Sequence, residues 1–102
     1  MIHLTQVIYL HSGQEDAFNE FESIALPAMS KYGGKLLLRI RPGQDTIIDQ
    51  TIETPYEIHI ISFEDEAGIK SFLQDPERLR FLYLKEQSVR LSYLYKDTEV
   101  RS

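Results

Sequence analysis

Four polar side chains on predicted strands could take part in proton-transfer chemistry. Glu57 and His59 are two positions apart in the sequence, so on a strand they rise from one face about 6–7 Å apart. A carboxylate at that distance can orient an imidazole, and an oriented histidine is a usable general base. Arg39 would hold a carboxylate or enolate with its fork of donors, and Tyr9 would donate to a developing oxyanion. The predicted chemistry is proton abstraction from a small organic acid or phenol.

The same polar residues also have a purely structural interpretation. Glu57 and His59 would then form a hydrogen-bonded pair at a sheet or dimer interface, with Arg39 as their counter-ion. Hydrogen-bonded networks with a purely structural role shift the pKa values of their residues much as active sites do. The two hypotheses differ in the face of the sheet that carries these residues. A position toward the helices favours catalysis, and a position toward a partner sheet favours dimer specificity.

The elements that must position these residues can be read from the hydrophobic pattern. Ser12 is a possible cap for the first helix, Pro27 is expected to kink it, and Gly33-Gly34 is expected to end it. Residues 46–51 are expected to extend the second strand or to form a hairpin arm. Asp75-Pro76 predicts a cap and first turn within the second helical region. The predicted elements are a strand over 2–10, a helix up to residue 32, strands over 35–41 and 56–63, a helical region over 64–86, a strand over 89–95 and a polar tail from residue 96.

This order of elements predicts an α+β fold of the ferredoxin-like βαββαβ type, with a four-stranded antiparallel sheet. Right-handed crossovers place both helices on one face of the sheet and leave the other face bare. Apolar residues occupy both faces of the strands: Leu36, Leu38 and Ile40 are expected on one face and Leu37 on the other. A bare apolar face indicates a partner sheet, so a homodimer through the sheet is expected.

Composition limits the remaining choices. The chain has 102 residues, 42% hydrophobic content and a formal net charge of -5, which suits one domain and disfavours nucleic acid as a partner. Because cysteine is absent, there is no disulfide or thiolate site, and the three histidines lack metal-ligand spacing. We therefore expect neither a metal nor a cofactor. With no apolar run long enough to cross a membrane and no leader-like start, a cytoplasmic protein without a membrane partner is expected.

Two stretches of the sequence resemble a known superfamily. Residues 31–39 and 63–67, together with Phe72, Asp75, Pro76 and Glu77, are similar to the dimeric α/β-barrel superfamily, and within it to the thirteen-thirty family of domains of unknown function. The resemblance implies a ferredoxin-like subunit and a barrel made of two sheets back to back. Its members include cofactor-free monooxygenases, haem-degrading enzymes, lactone isomerases and stress-response proteins. The absence of tryptophan departs from some haem-degrading members.

Three classes of function remain open. The first is binding of a small organic ligand between helices and sheet, with Arg39, Tyr9, Tyr83 and Phe72 as ligand contacts. The second is a cofactor-free monooxygenase or isomerase acting on a small aromatic or lactone substrate, with His59 and Glu57 as catalytic residues. The third is a structural or interaction dimer without catalysis.

Overall fold

The fold is that of a computed structural model, which describes residues 1–98. Short 3-10 turns follow the first helix, at Met29–Tyr32, and the second strand, at Gln44–Thr46. The helices and strands are β1 (Ile2–Leu10), α1 (Glu15–Ala28), β2 (Gly34–Ile40), β3 (Glu57–Phe63), α2 (Glu66–Leu73), α3 (Pro76–Arg80), α4 (Leu82–Ser88) and β4 (Val89–Thr98).

The four strands form one antiparallel sheet in the order β2-β3-β1-β4. This confirms the predicted ferredoxin-like α+β fold. The connection between β2 and β3 is irregular apart from its 3-10 turn, so the predicted strand or hairpin arm over 46–51 is wrong. Its β-branched residues have no neighbouring strand, and Ile48 is 95% exposed. Strand propensity alone does not make a strand when the segment pairs with no neighbour.

Two ends of elements follow the predicted turn chemistry. Gly33 has a φ of 77° and ends the 3-10 turn in the left-handed conformation that glycine tolerates. Asp75 caps α3, because its side chain accepts a hydrogen bond from the backbone N–H of Arg78 at 2.9 Å, and Pro76 begins the helix.

Two other ends differ from the prediction. The residue that caps α1 is Gln14, without a side-chain hydrogen bond, so the cap predicted at Ser12 is wrong. The helix continues through Pro27 to Ala28 and then tightens into the 3-10 turn. At the other end of the chain, β4 continues to Thr98, because residues beyond Tyr95 still pair with β1. The polar tail predicted from Lys96 is therefore strand as far as residue 98, and the rest of it lies outside the described residues.

The helices cover one face of the sheet, and the core lies between them. The buried apolar residues form two clusters, one in which alternate residues of β1 and β3 meet the helices and one between the helices themselves. The first cluster is centred on Met29 and Phe63 and the second on Phe21 and Leu84. Within residues 1–98, the helices are all too short or too polar to cross a membrane.

The other face, which we call the open face, carries exposed apolar side chains on the two edge strands. These are Leu38 and Ile40 of β2 and Leu91, Tyr93 and Tyr95 of β4, each at least 40% exposed. A bulge between Leu36 and Leu38 shifts the register of β2, so that Leu36 lies opposite Ile61 and Leu38 opposite Ile60. The expectation that Leu36 and Leu38 share a face is therefore wrong, because the extra residue inverts the alternation.

Candidate functional site

The helix-facing side of β3 carries the polar residues that the sequence singled out. Glu57 and His59 lie beneath the helices, with exposures of 0% and 1%. In the sheet, His59 lies between Gln6 of β1 and Arg39 of β2. The structure therefore brings Glu57, His59 and Arg39 together, on the side of the sheet that favours a functional site over a sheet-to-sheet contact.

Glu57 is held by three side chains. Its two carboxylate oxygens accept hydrogen bonds from Nε of Arg39 at 2.9 Å and Nε of Arg41 at 2.8 Å, and Nε2 of His59 makes a short contact to the first of these oxygens. Burial alone would raise the pKa of Glu57, but the hydrogen bonds of His59, Arg39 and Arg41 outweigh it and lower the pKa to about 2. Glu57 is thus an ionised acceptor at neutral pH.

The ionised state of Glu57 sets the orientation of His59. A carboxylate can only accept hydrogen bonds, so the proton of a neutral His59 ring belongs on Nε2. The lone pair of Nδ1 is then free to accept a proton. Nδ1 is directed toward α1, where Oε2 of Glu22 lies 3.9 Å away, beyond hydrogen-bond distance. A carboxylate also orients the imidazole in a catalytic triad, but there it binds Nδ1 and leaves Nε2 as the base, the reverse of the arrangement at His59.

Glu22 of α1 is the member of the site that the sequence did not single out. It is 7% exposed, and burial raises the pKa of its carboxyl, while the nearby His59 lowers it. A signal was present, because Glu22 falls on the buried stripe of α1, between Phe21 and Ala25. A carboxylate on the apolar face of an amphipathic helix is unusual enough to be a candidate functional residue.

A cavity of about 160 Å³ opens between the helices and the sheet at this point. Its polar end contains Gln6, Glu22, His59, Arg78 and Lys85. Most of its wall is apolar and comes from both layers of the fold: Leu4, Phe21, Ala25, Leu26, Met29, Ile61, Phe63, Ile69, Phe72, Leu73 and Leu94. In the described part of the chain, there is no cluster of three or more side chains placed to hold a metal ion.

The other predicted ligand contacts lie in different places. Phe72 is in the cavity wall. Tyr9 is on the open face, where its hydroxyl donates to the backbone oxygen of Glu53 at 2.9 Å and where burial raises its pKa. Tyr83 is 56% exposed beside Phe81 and does not line the cavity. Neither tyrosine reaches His59, and their role in binding stays a prediction.

Comparison with known proteins gives similarity in structure only. The sequence matches no protein-family profile and no curated protein. A protein of unknown function from Rhodopseudomonas palustris has a TM-score of 0.84 at 16% identity, over 99% of this chain and 83% of that one. A DABB family protein with a ferredoxin-like fold, from Mesorhizobium loti, has a TM-score of 0.67 at 17% identity, over 98% and 97% of the two chains.

A third similar structure bears the description of an enzyme. It is the "Putative antibiotic biosynthesis monooxygenase from Nitrosomonas europaea", with a TM-score of 0.74 at 8% identity, over 99% of this chain and 100% of that one. At such identities the similarity shows the ferredoxin-like fold and not the chemistry, because this fold hosts many unrelated activities. The more specific resemblance to the thirteen-thirty family stays a prediction.

Proposed function

We propose that this protein binds a small organic molecule in the cavity between the helices and the sheet. The observation that carries the proposal is the cavity itself, with an apolar wall and a polar end at His59. Ligand sites in proteins combine an apolar lining with a few convergent polar groups. A helix-to-sheet layer packed for stability alone would be filled by side chains at this place.

A second candidate function is general-base catalysis by His59. It is favoured by the contact between Nε2 and the ionised Glu57, which leaves Nδ1 as the acceptor on the side of α1. In this reaction a C–H or O–H acid of the ligand gives its proton to Nδ1 and becomes an enolate or phenolate. Isomerases and cofactor-free monooxygenases acting on small aromatic or lactone substrates both need such a step.

We also infer that two chains associate through the open face to form a homodimer. Leu38, Ile40, Leu91, Tyr93 and Tyr95 give this face a continuous apolar character on both edge strands. Contiguous exposed apolar surface of this kind is typical of interfaces. The third class, a structural dimer without a ligand, keeps this interface but gives no reason for the cavity.

Ligand binding is tested by a fragment screen with thermal unfolding as the readout. A compound that binds only the folded state raises the unfolding midpoint by mass action. Ala25→Leu fills the cavity from α1 and should abolish the shift for every fragment found, whereas Ala67→Leu, on the exposed side of α2, should preserve it. Shifts that survive Ala25→Leu unchanged would contradict binding in the cavity.

The base is tested by hydrogen exchange at carbon. The α-protons of phenylacetone exchange with D2O, and 1H NMR follows the loss of their signal. We expect the protein to accelerate this exchange and His59→Gln to reduce it to the rate in buffer, because glutamine keeps a donor for Glu57 but offers no base. An acceleration that persists in His59→Gln would exclude His59 as the base.

The dimer is tested by sedimentation equilibrium at micromolar concentration. Leu38→Asp on the open face should give a monomer. Leu79→Asp on α3 is the matched control, because Leu79 is 43% exposed and Leu38 is 44% exposed. A monomeric wild-type protein, or a dimer that tolerates Leu38→Asp, would refute association through this face.

A further inference from the structure

Arg78 is a nearly buried cation that forms no ion pair within residues 1–98. It is 8% exposed, and its side chain donates one hydrogen bond, from Nη1 to the backbone oxygen of Leu73 at 3.3 Å. All ion pairs found within residues 1–98 involve other cations. Burial lowers the pKa of Arg78, which is the effect of taking a charge out of water. A buried charge is costly unless something pairs with it.

The surroundings of Arg78 compensate only part of this cost. Its guanidinium carbon lies 5.3 Å from the ring centre of Phe72 and 5.9 Å from that of Phe21, and both rings belong to the cavity wall. In the described part of the chain, every fully enclosed side-chain nitrogen has a hydrogen-bond partner. The N–H groups that Arg78 leaves unused are therefore not fully enclosed, and Arg78 is one of the residues that line the cavity.

A second cation strengthens the positive character of this end of the cavity. Lys85 of α4 lines it as well and is half-buried; its burial, followed by the proximity of Arg78, lowers its pKa. Glu22 and Asp75 are the carboxyls that raise the pKa of Arg78 through space, but neither forms an ion pair with it within residues 1–98. Asp75 accepts hydrogen bonds from Lys31, Tyr32 and the backbone N–H of Arg78 instead. Two cations thus line this part of the cavity on a chain with a formal net charge of -5.

We propose that the cavity binds a small organic acid, with its carboxylate on Arg78 and its apolar body against Phe21 and Phe72. The inference rests on the proposed ligand-binding function and adds the class of ligand. A guanidinium offers two parallel N–H groups that match the two oxygens of a carboxylate. The cavity volume of about 160 Å³ and its mainly apolar wall suit a compact monoanion. Lys85 contributes to the positive potential from the side of α4.

The test compares acids with their uncharged amides by isothermal titration calorimetry. The pairs are benzoate and benzamide, phenylacetate and phenylacetamide, and hexanoate and hexanamide. For the wild-type protein we expect the best acid to bind at least about tenfold more tightly than its amide, because only the acid pairs with the guanidinium. Arg78→Met should remove this preference while keeping the apolar contact with the two rings.

Two further variants separate charge from folding. Arg80→Met is the matched control, since Arg80 is an exposed arginine of the same helix, and this variant should keep the full preference. Arg78→Lys retains the charge without the fork and should keep part of it. Thermal unfolding of each variant shows whether it folds. If Arg78→Met does not fold, Arg78→Lys serves as the test.

The possible outcomes distinguish this inference from the function on which it rests. Equal affinity for acids and amides in the wild-type protein would overturn the carboxylate site and leave ligand binding in place. A preference for acids that persists in Arg78→Met would overturn the role of Arg78. If no acid binds while neutral fragments still raise the unfolding midpoint, the inference falls alone.

Discussion

Two glutamates flank the imidazole of His59 and are in opposite electrostatic situations. Glu57 of β3 accepts hydrogen bonds from two arginines and has a lowered pKa, of about 2. Glu22 of α1 is 7% exposed and has a raised pKa, and the closest ion pair it forms with the described residues is the 3.9 Å contact to His59. Burial is common to both, so the partners decide the charge. The Glu57 side of the imidazole is held by hydrogen bonds, and the Glu22 side faces the cavity.

The largest expected effect on stability comes from removing the carboxylate of Glu57, both oxygens of which accept hydrogen bonds. Glu57→Ala should lower the free energy of unfolding by about 2–3 kcal/mol, because His59 loses its acceptor and the arginines lose theirs. The value lies at the low end for a buried ion pair, since the side chains of Arg39 and Arg41 are 33% and 50% exposed and can be hydrated. Urea denaturation measures it, and a loss below about 1 kcal/mol would contradict a structural role for Glu57.

Replacing Glu22 should have the opposite effect on the free energy of unfolding. Glu22→Leu should raise the free energy of unfolding by about 1 kcal/mol at pH 7, because a buried carboxyl with little compensation is replaced by an apolar side chain. Glu20→Leu, on the exposed side of the same helix, is the matched control and should change stability by less than about 0.5 kcal/mol. A clear destabilisation by Glu22→Leu would mean that Glu22 is also part of the scaffold.

The contributions of Glu57 and Glu22 to the pH dependence of stability should have opposite signs, and they should be smaller than the effects above. The lowered pKa of Glu57 stabilises the fold above its ordinary value of 4.5, and this stabilisation is lost as the pH falls toward about 2. Glu57→Gln should reduce this loss of stability in acid.

The raised pKa of Glu22 stabilises the fold at pH values below the ordinary pKa, and this stabilisation is lost as the pH rises through the raised pKa. Glu22→Gln should therefore gain stability relative to wild type with rising pH. Denaturant unfolding across the pH range measures both slopes, and slopes of equal sign would contradict the comparison.

Much of the scaffold and half of the site are predictable from local sequence. Gly33 and Asp75-Pro76 act through backbone geometry within a few residues, so their turns follow from residue type. The pairing of Glu57 with His59 follows from the two-residue period of a strand. These features depend on neighbours along the chain.

The remaining features depend on contacts that local patterns do not contain. The register of β2 changes at a bulge, which places Leu38 on the open face. The helical region breaks at Phe81, so the phase changes between α3 and α4, and Leu84 is buried while Tyr83 is exposed. Glu22 becomes a site residue only because α1 packs over His59, which is distant in the sequence.

The central claim, that the cavity beside His59 binds a small organic molecule, is tested most directly through the methionines. The chain has two, and only Met29 lines the cavity, with 2% exposure, whereas Met1 is 64% exposed. In protein labelled with 13C at the methionine methyl groups, fragments that stabilise the fold should shift the Met29 signal and leave Met1 unchanged. A stabilising fragment that leaves the Met29 signal in place, or moves Met1 instead, would contradict the claim.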